Sequence, residues 1–263
     1  MRADVFFKEK FGSRTKAAEA IERGLVLVNG KQIRAKDEIR ESDEITFVLP
    51  KEQYVSNGGY KLARAKEAFS LDFGSLVCVD LGASTGGFTD CMLQNGAKKV
   101  YAVDVGECLL NEKLVVNEKV VVMDRTNARY LQKTAFLEPI DVVVTDVSFI
   151  SLRLIFPTIN EILSENGFAV ALIKPQFESE NKNIGKSGIV SGVYHAKIVE
   201  KVLGYAEENG LFALGITNAP IRKGKNVEYV VLLKKQPQNG VNKAKIVEKV
   251  KELVSLNADN LLL

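Results

Sequence analysis

Over most of the chain, short apolar runs alternate with longer segments whose apolar residues recur every third or fourth position. The runs are LVCVDL (76–81), KVYAVDV (99–105), KVVVM (119–123), IDVVVTDV (140–147), GFAVALIK (167–174), LFALGITNA (211–219) and VEYVVLLK (227–234). Several are apolar at consecutive positions, which is the pattern of strands covered on both faces. Strands alternating with helical segments predict a doubly wound, Rossmann-like α/β sheet. Ahead of it, a glycine-containing joint at Asn57-Gly58-Gly59 leads into a helix with Leu62, Ala65 and Phe69 on one face.

The first fifty-odd residues follow another pattern. RTKAAEAIER (14–23) is apolar at Ala17, Ala20 and Ile21, with Ser13 placed to cap the helix and Gly24 where a left-handed C-cap belongs. LVLVNGKQIR (25–34) reads as a hairpin around Asn29-Gly30, because both residues tolerate positive φ. A further strand, EITFVLP (44–50), is closed by Pro50. The pattern therefore predicts a small N-terminal α+β domain over 1–56, an α/β domain over 57–235 and a helical tail over 236–263, where QPQNG leads into KAKIVEKVKELVSL.

Composition narrows the options. No apolar run approaches the roughly 20 residues that cross a bilayer, and the N-terminus lacks a signal-peptide core, so a cytoplasmic protein is expected. Cys78, Cys91 and Cys108 form no Cys-x-x-Cys pair and His195 is the sole histidine, which points away from a disulfide framework or a metal site. His195 reads as a surface or helix-start residue. Net charge is only +3, but residues 1–36 hold nine Lys or Arg against four Asp or Glu, and 37–56 hold two against six. Arg14, Lys16, Arg23, Lys31 and Arg34, with Lys8 and Lys10, thus stand on a helix-and-hairpin unit, as a phosphate-binding surface requires.

In doubly wound sheets, ligands bind beyond the carboxyl ends of the strands. Here those ends are polar: Asp80, Asp104, Asp124, Asp146 and Lys174 close five successive runs. Asp104 follows Asp80 by 24 residues, close to the spacing at which a carboxylate meets ribose hydroxyls in dinucleotide and S-adenosylmethionine sites alike. The intervening loop, Gly82-Ala83-Ser84-Thr85-Gly86-Gly87, lacks the full G-x-G-x-x-G spacing used against a pyrophosphate and favours a nucleoside without phosphates. A hydrolase reading of Gly82-Ala83-Ser84-Thr85-Gly86 has Ser84, a later Asp and His195 in a known chain order, but no HGGG-type oxyanion segment.

AAEAIERGLVLVNGKQIR (17–34) resembles the αL RNA-binding module of a small-subunit ribosomal protein and several RNA-modifying enzymes, through the pattern A...I..G.V.VNG. VSNGGYKL, DLGASTGGFTDCMLQNGAKKVYAVDVG, DRTNARYL, TDVSFISL, LIKPQFE and NVEYVVLL extend the likeness over nearly all of 1–235. Together they resemble the TlyA (haemolysin A-like) ribosomal RNA methyltransferases, which join that module to an FtsJ-like domain. The resemblance implies S-adenosylmethionine-dependent 2′-O-ribose methylation of ribosomal RNA, at cytidine, on ribosomal RNA or subunits. It also implies a Lys-Asp-Lys-Glu tetrad at Lys61, Asp146, Lys174 and Glu228. Taken singly, Lys61 would be an exposed helix charge and Glu228 an edge-strand charge.

Lys174, at a strand end, is the side chain expected to meet the reacting oxygen, as a neutral base or as an ammonium stabilising the alkoxide. Asp80, Gly82, Ser84, Thr85, Gly86, Gly87, Asp104 and Asp124 are the expected cofactor contacts, Phe88 is expected in the core, and Lys182–Val190 is expected as a loop over an RNA phosphate. Two positions depart from the family pattern: Asn57 stands where Arg is common and Asp124 where Glu is common. Two other classes compete, a non-catalytic RNA-binding or assembly factor and a membrane-active haemolysin.

Overall fold

The computed structural model describes all residues except 23, 41, 49–52, 180–184, 186–187, 223 and 262–263. Chain contacts divide it into two compact units, Met1–Gln53 and Tyr54–Leu263.

In the first unit, the short helices α1 (Ala3–Phe6) and α2 (Lys8–Phe11) precede α3 (Arg14–Glu22), and the strands β1 (Val26–Val28), β2 (Lys31–Gln32) and β3 (Ile45–Phe47) form an antiparallel sheet in the order β2-β1-β3. The local signals operate as their chemistry dictates. Ser13 Oγ accepts from Lys16 N at 3.2 Å, Gly24 adopts φ +70°, and Asn29 and Gly30 make the tight turn at φ +50° and +73°. Ala17 and Ile21 pack against Ala3, Phe7, Val26, Val28 and Ile39 in one small core.

The second unit contains α4 (Asn57–Phe69), β4 (Val77–Leu81), α5 (Gly87–Gln94), β5 (Lys99–Val103), α6 (Glu112–Val115), β6 (Val120–Met123), β7 (Ile140–Thr145), α7 (Phe156–Ile162), β8 (Leu163–Ile173), α8 (Pro175–Glu178), α9 (His195–Glu208), β9 (Phe212–Asn218), β10 (Tyr229–Lys234) and α10 (Lys243–Leu261). All seven apolar runs form strands of one sheet, ordered β6-β5-β4-β7-β8-β10-β9. The pleat divides consecutive apolar residues between two cores: Val77, Val79 and Leu81 join the core of α7, α9 and α10, while Cys78, Val142 and Val144 join that of α4 and α5.

Six of the seven strands run in one direction, and only β10 runs the other way, inserted antiparallel between β8 and β9. Glu228, just before β10, is therefore beside an internal strand, which corrects the edge-strand reading. His195 does start a helix, but it is buried rather than on the surface. Its Nε2 donates to the Val190 carbonyl at 3.1 Å, and Nδ1 accepts from the Tyr229 hydroxyl at 2.8 Å. Those partners fix the tautomer, and burial lowers the ring's pKa, keeping it neutral. The tail helix packs Ile246, Val247, Val250 and Leu253 into the larger core.

Candidate active site

The site is set by where strands stop. Asp146 follows β7 and Lys174 follows β8, both at carboxyl ends. Because β10 runs the other way, Tyr229 pairs with Ile173 and its predecessor Glu228 arrives at the same end. Helix α4 buries Gly59, Leu62 and Ala65, leaving Lys61 at the margin of that packed face.

The four side chains are joined by ion pairs. Lys61 Nζ lies 3.0 Å from Asp146 Oδ2 and 2.8 Å from Glu228 Oε2, and Lys174 Nζ lies 2.6 Å from Asp146 Oδ1. Lys174 also donates to Ser148 Oγ at 2.8 Å and to the Asp146 carbonyl at 3.2 Å. Its side chain is 8% exposed, against 19% for Lys61. Burial opposes the charge of Lys61, but the Asp146 and Glu228 carboxylates outweigh it and raise its pKa above the ordinary lysine value. Lys61 is thus a permanent cation at neutral pH. Ser148 was not anticipated from sequence, although its place two residues after Asp146 is a usable signal.

The glycine loop opens two adjoining cavities. One, of about 520 Å3, is lined by Gly82, Ser84, Asp104, Thr126, Asn127 and Arg129 among others. The other, of about 250 Å3, is lined by Asp80, Thr85, Gly87, Lys61, Asp146 and Lys174 among others. They share Gly82, Ser84, Asp146 and Ser148. Gly86 sits at φ +92°, and a Cβ there would meet Leu114 Cδ1 at 2.3 Å; a Cβ on Gly87 would meet the Gly59 backbone nitrogen at 2.7 Å. Gly86 thus makes room for Leu114 of α6, and Gly87 lets α4 and α5 approach closely below the loop.

Each predicted carboxylate has structural partners. Asp104 accepts from Ser84 N on one oxygen and from Gly106 N on the other, both at 2.8 Å, tying the glycine loop to the turn after β5. Asp80 Oδ2 accepts from Thr89 N and Thr89 Oγ1 near the start of α5, while Oδ1 is buried without a hydrogen-bond partner among the described residues. Burial pushes the Asp80 carboxyl up to about 7 against the Thr89 hydrogen bonds, with Asp146 and Asp104 adding to the rise. Asp124 accepts from Cys108 N at 2.9 Å, and the segment after it, Thr126–Arg129, is what faces the larger cavity. Phe88 is in the core. Both His195 ring nitrogens are engaged elsewhere, so no Ser84–His195 dyad forms.

In the N-terminal unit, Lys16 and Lys31 are exposed and without side-chain partners among the described residues, and Arg34 pairs with Asp37 at 3.2 Å. Arg14 is drawn to the buried Asp4 at 2.8 Å. Arg14 and then Arg2 hold the Asp4 carboxyl below its usual pKa. Arg23 and most of Lys182–Val190 lie outside the described residues.

A mostly parallel seven-stranded sheet, a glycine loop after its inner strand β4 and a carboxylate after the next strand in sequence, β5, define a nucleoside-binding, methyltransferase-type fold. Residues 54–235 match the FtsJ-like methyltransferase model and residues 1–45 the S4 domain, and the chain belongs to the FtsJ-like methyltransferase family. It is 41% identical over 222 residues to Hemolysin A of Brachyspira hyodysenteriae, covering 83% of this chain and 92% of that protein. It is 36% identical over 247 residues to the 16S/23S rRNA (cytidine-2'-O)-methyltransferase TlyA of Mycobacterium tuberculosis, covering 92% of each. A solved structure from Streptococcus thermophilus, named as a candidate hemolysin, is 38% identical over 98% of each chain with a TM-score of 0.72. Among the described residues, no helix is long and apolar enough to cross a membrane, and no group of three or more His, Cys, Asp or Glu could hold a metal ion.

Proposed function

We propose that the protein methylates the 2′-hydroxyl of a cytidine in ribosomal RNA, in the cytoplasm, using S-adenosylmethionine. The observation that carries this reading is the ion-paired cluster of Lys61, Asp146, Lys174 and Glu228 beside the two adjoining cavities. A ribose hydroxyl is a poor nucleophile near pH 7, so its site must stabilise an oxygen that is losing its proton.

The residues suit the cofactor. The combined cavity is in the range that holds a nucleoside with an amino-acid arm. Asp104 retains lone pairs for ribose hydroxyls beyond the backbone N–H groups it accepts, and the Thr126–Arg129 segment would border the base. The unpartnered Oδ1 of Asp80 is an acceptor suited to an ammonium group, with Gly82, Ser84, Thr85 and Gly87 around the same arm. When bound, S-adenosylmethionine supplies a methyl group on a sulfonium.

Asp146 sits between two lysines and fixes both. In this reading Lys174, paired with Asp146, acts as an ammonium that would donate to a developing alkoxide, with its direction set by Ser148. Lys61, bridged by Asp146 and Glu228, keeps the cluster in register. The S4 unit would bind structured RNA by shape and phosphate contacts through Lys16, Lys31 and Arg34, with Arg14 shared between that face and Asp4.

Mapping 2′-O-methyl groups on ribosomal RNA from cells with and without the gene tests the reading. One or more cytidine methyl groups should vanish with the gene. Identical maps would refute it and leave a non-catalytic RNA-binding role.

A further inference from the structure

Near the ion-paired cluster lies a third cavity, of about 220 Å3, lined by Lys61, Gln176, Pro220, Arg222, Lys225, Asn226 and Glu228. Two of its walls belong to the cluster, while Arg222 and Lys225 come from the β9–β10 loop. Both are exposed and neither has a side-chain partner among the described residues. The loop is nonetheless braced. Lys225 N donates to the Arg222 carbonyl at 3.1 Å, closing a turn in which Gly224 takes φ +72°. Asn226 next to it accepts from Val190 N at 2.8 Å and donates to the Gly188 carbonyl at 2.9 Å, and Ala219 N donates to the Glu228 carbonyl at 2.9 Å. The two cations are thus neighbours across a hydrogen-bonded turn at the mouth of this cavity.

We propose that Arg222 and Lys225 form a phosphodiester-binding subsite that seats the phosphate 3′ to the acceptor ribose. The inference rests on the function proposed above. A ribose 2′-oxygen is bonded next to the carbon that bears its own 3′-phosphate, so any site that receives the oxygen also receives that anion. The cluster cannot neutralise it. Lys61 is committed to Asp146 and Glu228, Lys174 to Asp146 and Ser148, and the cluster pairs two cations with two carboxylates. Glu228 moreover shows a partly exposed carboxylate to the same cavity and would repel a phosphate left alone with it. Arg222 and Lys225 supply the uncommitted positive charge, one as a planar fork and one as a point charge. The subsite would set which face of the ribose meets Lys174, and so act through RNA position.

The test is single-turnover transfer of labelled methyl by the full-length protein to ribosomal RNA, at several RNA and salt concentrations. The variants are the double Arg222→Ala/Lys225→Ala and the charge-preserving Arg222→Lys/Lys225→Arg. The double alanine variant should raise the RNA concentration for half-maximal rate roughly tenfold or more. It should also reduce the log–log salt slope by about 0.7 per cation removed, as for single-stranded phosphate contacts. Its rate at saturating RNA should stay within a few-fold of wild type, cofactor affinity by calorimetry should be unchanged, and the charge-preserving variant should recover most of the loss. An unchanged half-maximal concentration or salt slope overturns the subsite, as does an equal loss in the charge-preserving variant. Weakened cofactor binding also overturns it, by assigning the pair to the other ligand. If wild type transfers no methyl to ribosomal RNA, the functional reading itself fails; an active wild type with indifferent variants sinks the subsite alone.

Discussion

The basic face of the N-terminal unit and the ion-paired cluster of the larger unit handle charge in opposite ways. In the N-terminal unit Lys16 and Lys31 stand in solvent, and the pairing of Arg34 with Asp37 is itself exposed. In the cluster the cations are enclosed by partners: Lys61 is held by two carboxylates, and Lys174 touches Asp146 and Ser148. Free cations bind a polyanion of variable shape through counterion release, which requires few fixed geometries. A reacting oxygen needs one donor in one place, and enclosure supplies that. The contrast predicts that mutations in the cluster act on rate and that mutations on the N-terminal face act on affinity and its salt dependence.

The largest effect is expected at Lys174. Lys174→Ala should lower single-turnover methyl transfer by roughly 10²- to 10⁴-fold, with cofactor and RNA affinities near wild type. Lys174→Arg should not restore it, because a broad guanidinium does not fit a pocket where Asp146 Oδ1 is at 2.6 Å and Ser148 Oγ at 2.8 Å. A rate near normal in either variant would break the comparison at its strongest point.

Next comes Asp104→Ala, measured by calorimetric titration with S-adenosylmethionine. It removes the acceptor proposed for two ribose hydroxyls and frees Ser84 N and Gly106 N. Affinity should fall by tenfold or more, since each hydrogen bond to a charged group is worth about 1.5–3 kcal/mol. Unchanged affinity in a folded variant would place the nucleoside elsewhere.

A smaller effect is expected when Lys16, Lys31 and Arg34 are neutralised together. RNA affinity should drop and its log–log salt slope flatten by about one for each phosphate that is no longer neutralised, with cofactor binding untouched. Arg14 is left out because its pairing with the buried Asp4 would mix impaired folding with impaired binding.

The smallest concerns pH. The Asp80 carboxyl is raised from 3.8 to about 7, so its contribution to stability is complete below about pH 4 and is lost as pH rises through about 7. Asp80→Asn should therefore flatten the fall in Tm between about pH 4 and 7. A ligand ammonium that favours the ionised form should bind more tightly as pH rises toward about 7, and that dependence should vanish in the same variant. Superimposable pH profiles for the two proteins would remove Asp80 from both roles.

Much of this was legible in the chain because it is local. The Asn29-Gly30 turn, the Ser13 cap and the strand-end positions of Asp146 and Lys174 depend on neighbours a few residues away. Glu228 was named only through the family resemblance, since its place depends on β10 reversing direction between two strands, and an apolar run reads the same in either direction. Arg14 looked like its fellow cations until α1, ten residues earlier, brought a buried Asp4 against it. The burial of His195 at its helix start was hidden for a similar reason: its partners Tyr229 and Val190 are joined to it only by the fold.

The most direct measurement is made with purified protein, labelled S-adenosylmethionine and ribosomal subunits or ribosomal RNA, followed by digestion to nucleosides and identification of the labelled product. Label is expected in 2′-O-methylcytidine and should disappear with Lys174→Ala. Label in a base-methylated nucleoside, or no label in RNA at all, would contradict that expectation.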